Sequence, residues 1–224
     1  MSADTRQRLL DGALLAMREH GVAGISARTI AAAAGVNQAL IFYHYGSVDE
    51  LLTAVCLIST KERVDRYTER FAAVGSLREL LRVGRALHEE ERRLGNVSIL
   101  AQLLAAAQTD GKLAHATKEA LALWIKQIET VLDRLLAGAP FAEVADVPGL
   151  ARAISAAFVG LELYEGVAEA EAQRALAALD QLAVLVEVVD ELGPVSRRAL
   201  RGKIGRASRA TRATTRRTPP ASRT

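Results

Sequence analysis

Cysteine, proline and aromatic side chains are all scarce in this chain. One cysteine, Cys56, in 224 residues excludes an intramolecular disulfide framework and a cysteine-rich metal site, and it fits a reducing compartment. Aromatics make up 4% of the chain while alanine and leucine crowd every segment, which is poor material for sheets and good material for helices. The five prolines fall in Gly138-Ala139-Pro140, Val147-Pro148-Gly149, Gly193-Pro194 and Pro219-Pro220, where they punctuate the chain rather than interrupt its apolar periodicity. A basic start followed by an apolar stretch is missing, and charge breaks the apolar runs short of the roughly 18 residues of a membrane span. A cytoplasmic chain with no membrane partner is expected.

Catalytic constellations are missing too. His20, His44, His88 and His115 share no metal-ligand spacing with one another or with Cys56, and there is no H-x-x-x-H, G-x-S-x-G or Walker-type loop. The expectation is therefore not an enzyme, with no cofactor and no metal. Cys56 sits in the apolar run Ala54 to Ile58 and reads as a structural thiol. Glu89-Glu90-Glu91 reads as a solvated face.

What is present is half hydrophobic and a quarter charged, enough to bury a sizeable core. The overall charge of +3 conceals a division. Residues 197–224 carry ten of the 29 Lys and Arg and no acid, so residues 1–196 hold nineteen bases against all 26 acids, a net charge of −7. The body is acidic and the tail basic. Residues 196–224, rich in Arg, Ala, Thr and Ser, are expected to form a largely disordered tail.

Helical periodicity predicts nine helices. Asp4 opens the first, with Leu9, Leu10, Ala13, Leu14 and Met17 on one face. Ser26 starts a two-turn helix that Gly35 stops, and Asn37 opens another from Gln38 to His44. Ser47-Val48-Asp49-Glu50 and Ser76-Leu77-Arg78-Glu79 have the capping-box form, launching helices to about Ala73 and Arg93. Helices from Asn96 to about Gln108, Lys112–Leu136, Leu150–Ala168 and Glu171–Leu192 follow.

The short helix, tight turn and short helix over residues 26–45 form a helix-turn-helix. Ile30, Ala31 and Ala34 supply the inner face, Gly35 the turn and Val36 the plug, while Ile41 and Tyr45 face inward. The exposed end of the second helix presents Asn37, Gln38 and Ala39 to a major groove, where amide side chains bond N6 and N7 of adenine. Across residues 5–55 this sequence resembles the TetR family of transcriptional regulators. Ser26, Arg28, Ile30, Ala31, Ala34, Gly35, Val36, Asn37, Ala39, Ile41, Phe42, Tyr43, His44, Tyr45, Ser47, Asp49, Glu50 and Leu51 carry the match in order.

The resemblance implies an all-α fold. An N-terminal three-helix DNA-binding domain, residues 1–46, is joined by a connecting helix, residues 47–73, to a helical effector-binding and dimerisation domain that completes residues 47–195. Ser26 and Thr29 are expected at phosphates, Arg28 at a guanine edge and Gln38 at a base. Asn37, Ala39 and Leu40 would supply the neighbouring surface, and Tyr43 and His44 further phosphate contacts. Phe42 stands where the family usually has tyrosine, Val48 where it has lysine and Leu40 where it has a small residue, so the phosphate grip is expected to be weaker.

The same resemblance implies a homodimer on a palindromic operator in double-stranded DNA, acting as a repressor released by a small hydrophobic or amphipathic effector. Leu103, Leu121, Trp124, Ile128 and Phe158 are candidates for the effector cavity, with Tyr67, His88, Gln102, Gln127 and Tyr164 as its polar points. Ala153, Ala156, Ala157 and Gly160, with Leu182, Leu185, Val189 and Leu192, are candidates for the dimer interface, because the last two helices are apolar over a wider arc than one packing face needs. The alternative is a helical small-molecule carrier or interaction module with degenerate DNA binding.

Overall fold

The computed structural model of the chain describes residues 2–137, 142 and 145–190, with Gly193, Ser196, Arg198, Ala199, Gly202, Lys203 and Arg206 beyond them. The side chains of Ser2, Asp180, Leu182, Ala183 and residues 185–190 lie outside the description, as does most of the basic tail. The described residues form nine α-helices and no strand: α1 Ser2–His20, α2 Ala27–Ala34, α3 Ala39–Tyr45, α4 Val48–Ala72, α5 Leu77–Arg93, α6 Asn96–Ala106, α7 Gly111–Leu136, α8 Val147–Glu165 and α9 Glu169–Asp190. A 3₁₀ turn, Val22–Gly24, joins α1 to α2.

Small polar side chains set most of the helix starts. The Ser26 hydroxyl accepts from the Thr29 amide and the Thr29 hydroxyl accepts from the Ser26 amide, a reciprocal cap that satisfies two orphan donors of α2. Ser47 and Ser76 accept from the amides of Glu50 and Glu79. Glu79 reaches one residue further back than a capping box requires and takes the Gly75 amide. Asp110 caps α7, and Asp146 caps α8 three residues before the expected start, with Pro148 in the first turn, where a missing amide costs nothing. Asp4 does not cap α1, which already begins at Ser2; it lies in the first turn and favours the dipole instead.

Two contacts fasten α1 to the following pair. A Cβ on Gly12 would stand 2.6 Å from Ala34 Cβ, so glycine permits the helices to cross at backbone distance. The Arg8 guanidinium donates to the carbonyls of Ala34 and Gly35 at 3.0 and 2.7 Å, closing the end of α2, where Gly35 turns left-handed at φ 62°. Leu9, Met17, Ile30, Ile41 and Leu51 are fully buried around this junction, each contributing about 1.5–3 kcal/mol relative to an exposed position.

This core does not stop at the predicted boundary after residue 46. Ile99 and Leu103 of α6 and Leu113 and Ala116 of α7 join the same buried cluster. A second cluster, including Tyr67, Phe71, Leu87, Val131, Leu132 and Ala151, holds the far halves of α4 and α7 against α5 and α8.

Helix α8 departs from the expectation that charge breaks every long apolar run. By length and composition it could cross a membrane, yet only 17% of its apolar window is buried. Leu150, Ala153, Ala157, Gly160 and Tyr164 are all exposed along one side, and their apolar character belongs to that open face.

Candidate nucleic-acid interface and the cavity behind it

The turn between α2 and α3 leaves Arg28, Asn37, Gln38, Ala39 and Tyr43 exposed while Ile30 and Ile41 are sealed beneath. Tyr43 is 80% exposed and stands edge-on to His44 at 4.8 Å. Arg28 and Gln38 have no polar partner among the described residues, so their forked donors and amide are free for a ligand.

Other predicted contacts are already engaged. The Ser26 and Thr29 hydroxyls lie 3.1 Å apart, and Thr29 also reaches the Ser26 carbonyl at 3.0 Å. Their first role is the cap. The Asn37 side-chain oxygen accepts from the Ala39 amide at 2.9 Å, which opens α3 one residue later than expected and leaves only the amide nitrogen of Asn37 for a base. Leu40 is half-buried and packs on the core, and His44 is half-buried with its carbonyl taking a bond from Arg6 at 3.3 Å.

Phe42 was not among the predicted contacts. It is 52% exposed and lies four residues after Gln38, hence on the same side of the helix. Its signal was available in the alternation of buried Ile41 with exposed neighbours, but comparison with tyrosine framed it as a loss.

The head holds four arginines, Arg6, Arg8, Arg18 and Arg28, in its first 60 residues, against five acids. Arg8 closes α2, Arg6 bonds the His44 carbonyl and lies 5.9 Å from the Tyr45 ring centre, and Arg18 donates to Asn96 at 3.1 Å. Tyr45 in turn donates to the Arg6 carbonyl, and burial raises its phenol pKa while the Arg6 charge opposes the shift. That leaves Arg28, among the described residues, as the arginine of this head without a partner.

Behind the head, helices α1 and α4–α9 enclose a cavity of about 480 Å³. Leu103, Leu121, Trp124, Ile128 and Phe158 all line it. The five predicted polar points do not. Tyr67 is fully buried outside it, bonding Glu91; His88 is held by Glu162 and Glu165; Gln102 accepts from the Val22 amide at 2.7 Å; Gln127 contacts Thr68; Tyr164 is 48% exposed on α8. Periodicity finds the apolar wall, but not which polar side chains have already found partners.

The polar part of the wall comes from residues read differently in the sequence. Glu91, expected on a solvated face, is 5% exposed. It accepts from Arg63 at 3.0 Å, Asn96 at 2.8 Å and Tyr67 at 3.2 Å. Helical spacing places it one turn after Leu87 and His88, on the inner face of α5. Asn96 also accepts from Arg18, so a continuous chain of bonds runs from α4 through α5 and α6 to α1.

Burial and the neighbouring Glu91 carboxylate push the Tyr67 phenol up to about 12. Burial likewise pushes the Cys56 thiol, which lines the cavity, up to about 11, so it stays protonated and unreactive. The bond to Glu162 raises the His88 pKa against the opposing cost of burial, with Glu165 adding to the rise. Among the described residues no group of three or more His, Cys, Asp or Glu side chains is placed to hold a metal.

Of the predicted dimer contacts, Ala153, Ala156, Ala157 and Gly160 are exposed, with Ala157 also bordering the cavity. A Cβ on Gly160 would meet nothing within 4 Å, so no packing within the chain demands glycine there. The side chains of Leu182, Leu185 and Val189, and all of Leu192, lie outside the described residues.

Comparison with known proteins gives a consistent picture. Residues 9–55 match the family described as bacterial regulatory proteins, tetR family. An uncharacterised HTH-type transcriptional regulator of Mycobacterium tuberculosis is 25% identical over 73% of this chain and 84% of its own length. The HTH-type transcriptional repressor AcnR of Corynebacterium glutamicum is 30% identical over 48% of this chain and 53% of its own. Among solved structures, reduced E. coli NemR superposes with a TM-score of 0.67 at 16% identity, covering 80% of this chain and 97% of that one. A TetR transcription regulator from Haloarcula marismortui gives 0.62 at 17%, covering 82% and 96%. These two show the fold.

Proposed function

Because the chain belongs to the TetR family of bacterial regulatory proteins, and is thus a DNA-binding transcriptional regulator, we propose that it works as a cytoplasmic homodimeric repressor released from a palindromic operator by a small hydrophobic or amphipathic effector. The observation that carries this reading is the chain of bonds Arg63–Glu91–Asn96–Arg18, which begins in the cavity wall and ends on α1, the helix that fastens α2 and its turn through Gly12 and Arg8. Movement of the wall is felt where the head is anchored.

The exposed apolar face of α8 supports a second copy as partner, since small residues let two helices approach closely. Two heads would then lie about one turn of DNA apart, roughly 34 Å, or a multiple of it. An effector that favours another spacing by about 5.5 kcal/mol moves the population from almost wholly bound to almost wholly released. AcnR is a repressor, which supports the sign of regulation.

Arg28 and Gln38 carry the base reading, with Ala39, Phe42 and Tyr43 beside them, and the α2 amides serve phosphates where the capped hydroxyls of Ser26 and Thr29 do not. Selection of bound fragments from a random duplex pool at near-physiological salt tests this: one inverted repeat is expected. Gln38→Ala should weaken that site by about 1–3 kcal/mol without altering stability. Binding without sequence preference, or equal loss on random DNA, would shift the assignment to a small-molecule carrier or interaction module, a reading that the three internally committed arginines favour.

A further inference from the structure

The cavity wall separates its polar groups into two kinds. Its buried ions are already paired: Glu91 is bound by Arg63, and Glu162 by His88. The unpaired groups are neutral. The Thr117 hydroxyl oxygen is buried with no partner among the described residues, in a residue only 5% exposed. Ser155, 8% exposed, also lines the cavity and its hydroxyl has no bond to any described residue. The remaining wall is chiefly aliphatic and aromatic, with Trp124, the chain's one tryptophan, among its members.

From this division we propose that the cavity takes an uncharged amphipathic molecule, an apolar body whose hydroxyl, carbonyl or ether oxygen bonds Thr117 and Ser155, and that it discriminates against carboxylates and amines of the same size. The inference rests on the effector reading above and gives it a chemical class. An anion seated here needs a cation, and taking Arg63 strands Glu91 in a place where it is 5% exposed. A cation must similarly detach Glu91 or Glu162 from its partner. Either exchange leaves an unpaired buried charge, which is far more costly than leaving a hydroxyl unbonded. A neutral ligand satisfies Thr117 and Ser155 and disturbs neither pair. The cavity volume of about 480 Å³ lies in the range of small-molecule sites.

The test uses the full chain and three probes of one length: decan-1-ol, decanoate and decylammonium, each below its aggregation limit at pH 7.5. Trp124 fluorescence reports occupancy without reference to DNA. Decan-1-ol is expected to bind at least about tenfold more tightly than either ion, and Thr117→Val with Ser155→Ala to weaken it about tenfold. Thr117→Val alone, an isosteric change that deletes an unbonded hydroxyl, should melt at or above the temperature of the parent while still binding the alcohol less well. Those opposite signs separate ligand recognition from a fold defect. Equal or tighter binding of decanoate or decylammonium, no alcohol binding, or affinity untouched by Thr117→Val overturns the proposal. Absence of probe binding with operator binding intact would sink only the ligand class, whereas probe binding without any specific operator would sink only the regulator reading.

Discussion

The head and the body use charge in opposite ways. In the head, arginines are spent on main-chain carbonyls: Arg8 on the end of α2 and Arg6 on His44. Those bonds orient helices without burying a carboxylate. In the body, Glu91 is buried and three donors converge on it from α4 and α6. A head assembled from caps and crossings should tolerate loss of any one bond, while a body that closes around a carboxylate should not.

The sharpest break in that comparison is at Glu91. Glu91→Ala leaves Arg63, with a quarter of its side chain exposed, without its counter-ion and unbonds Asn96 and Tyr67. Loss of one partner from a buried pair costs about 3–5 kcal/mol. Urea denaturation should show that loss, and a value under about 1 kcal/mol would mean that water replaces the carboxylate and that the network is not a structural tie.

A smaller effect is expected where the head does depend on close fit. In Gly12→Ala the new methyl meets Ala34 Cβ, N and Cα at 2.6–2.8 Å, and backbone atoms cannot swing aside. Helices α1 and α2 must separate, at about 1–3 kcal/mol, and DNA affinity should fall with stability. Unchanged melting would contradict the close crossing. Smaller still is Ser26→Ala, which removes the reciprocal cap of α2 at about 1 kcal/mol. If Ser26 also served a phosphate, operator affinity would fall by more than this loss of stability explains.

The two regions were unequally legible in the sequence, for the same physical reason that separates them. Ile30, Gly35, Val36 and Ile41 occupy places fixed by local geometry over twenty residues, so order and spacing reveal the helix-turn-helix. In the body, the wall residues Leu103, Leu121, Trp124, Ile128 and Phe158 follow from helical periodicity. Its polar partnerships do not. Glu91 looks solvated beside Glu89 and Glu90 until Arg63, 28 residues earlier, is brought against it. Gln102 looks available until the Val22 amide, 80 residues earlier, claims it. Gly12 carried no local signal, because what requires it is a helix that begins fifteen residues later.

The smallest expected effect concerns His88, the other ionic contact of the body. Glu162 and Glu165 flank its ring on the α8 side, and the Phe158 ring lies edge-on at 5.8 Å. Bonding to Glu162 raises its folded pKa above the ordinary value near 6.5. A raised pKa means that the folded state holds the proton more tightly than the unfolded chain does. The stabilisation is fully present below about pH 6.5, and it disappears as pH rises through the folded value. Melting temperature should therefore decline gently from pH 6 upward, and His88→Gln, which keeps a donor toward one carboxylate but cannot titrate, should flatten that decline. Identical slopes for parent and variant would show that the α5 to α8 contact is held by Phe158 and its apolar neighbours, and that the histidine's charge contributes nothing to the body's stability.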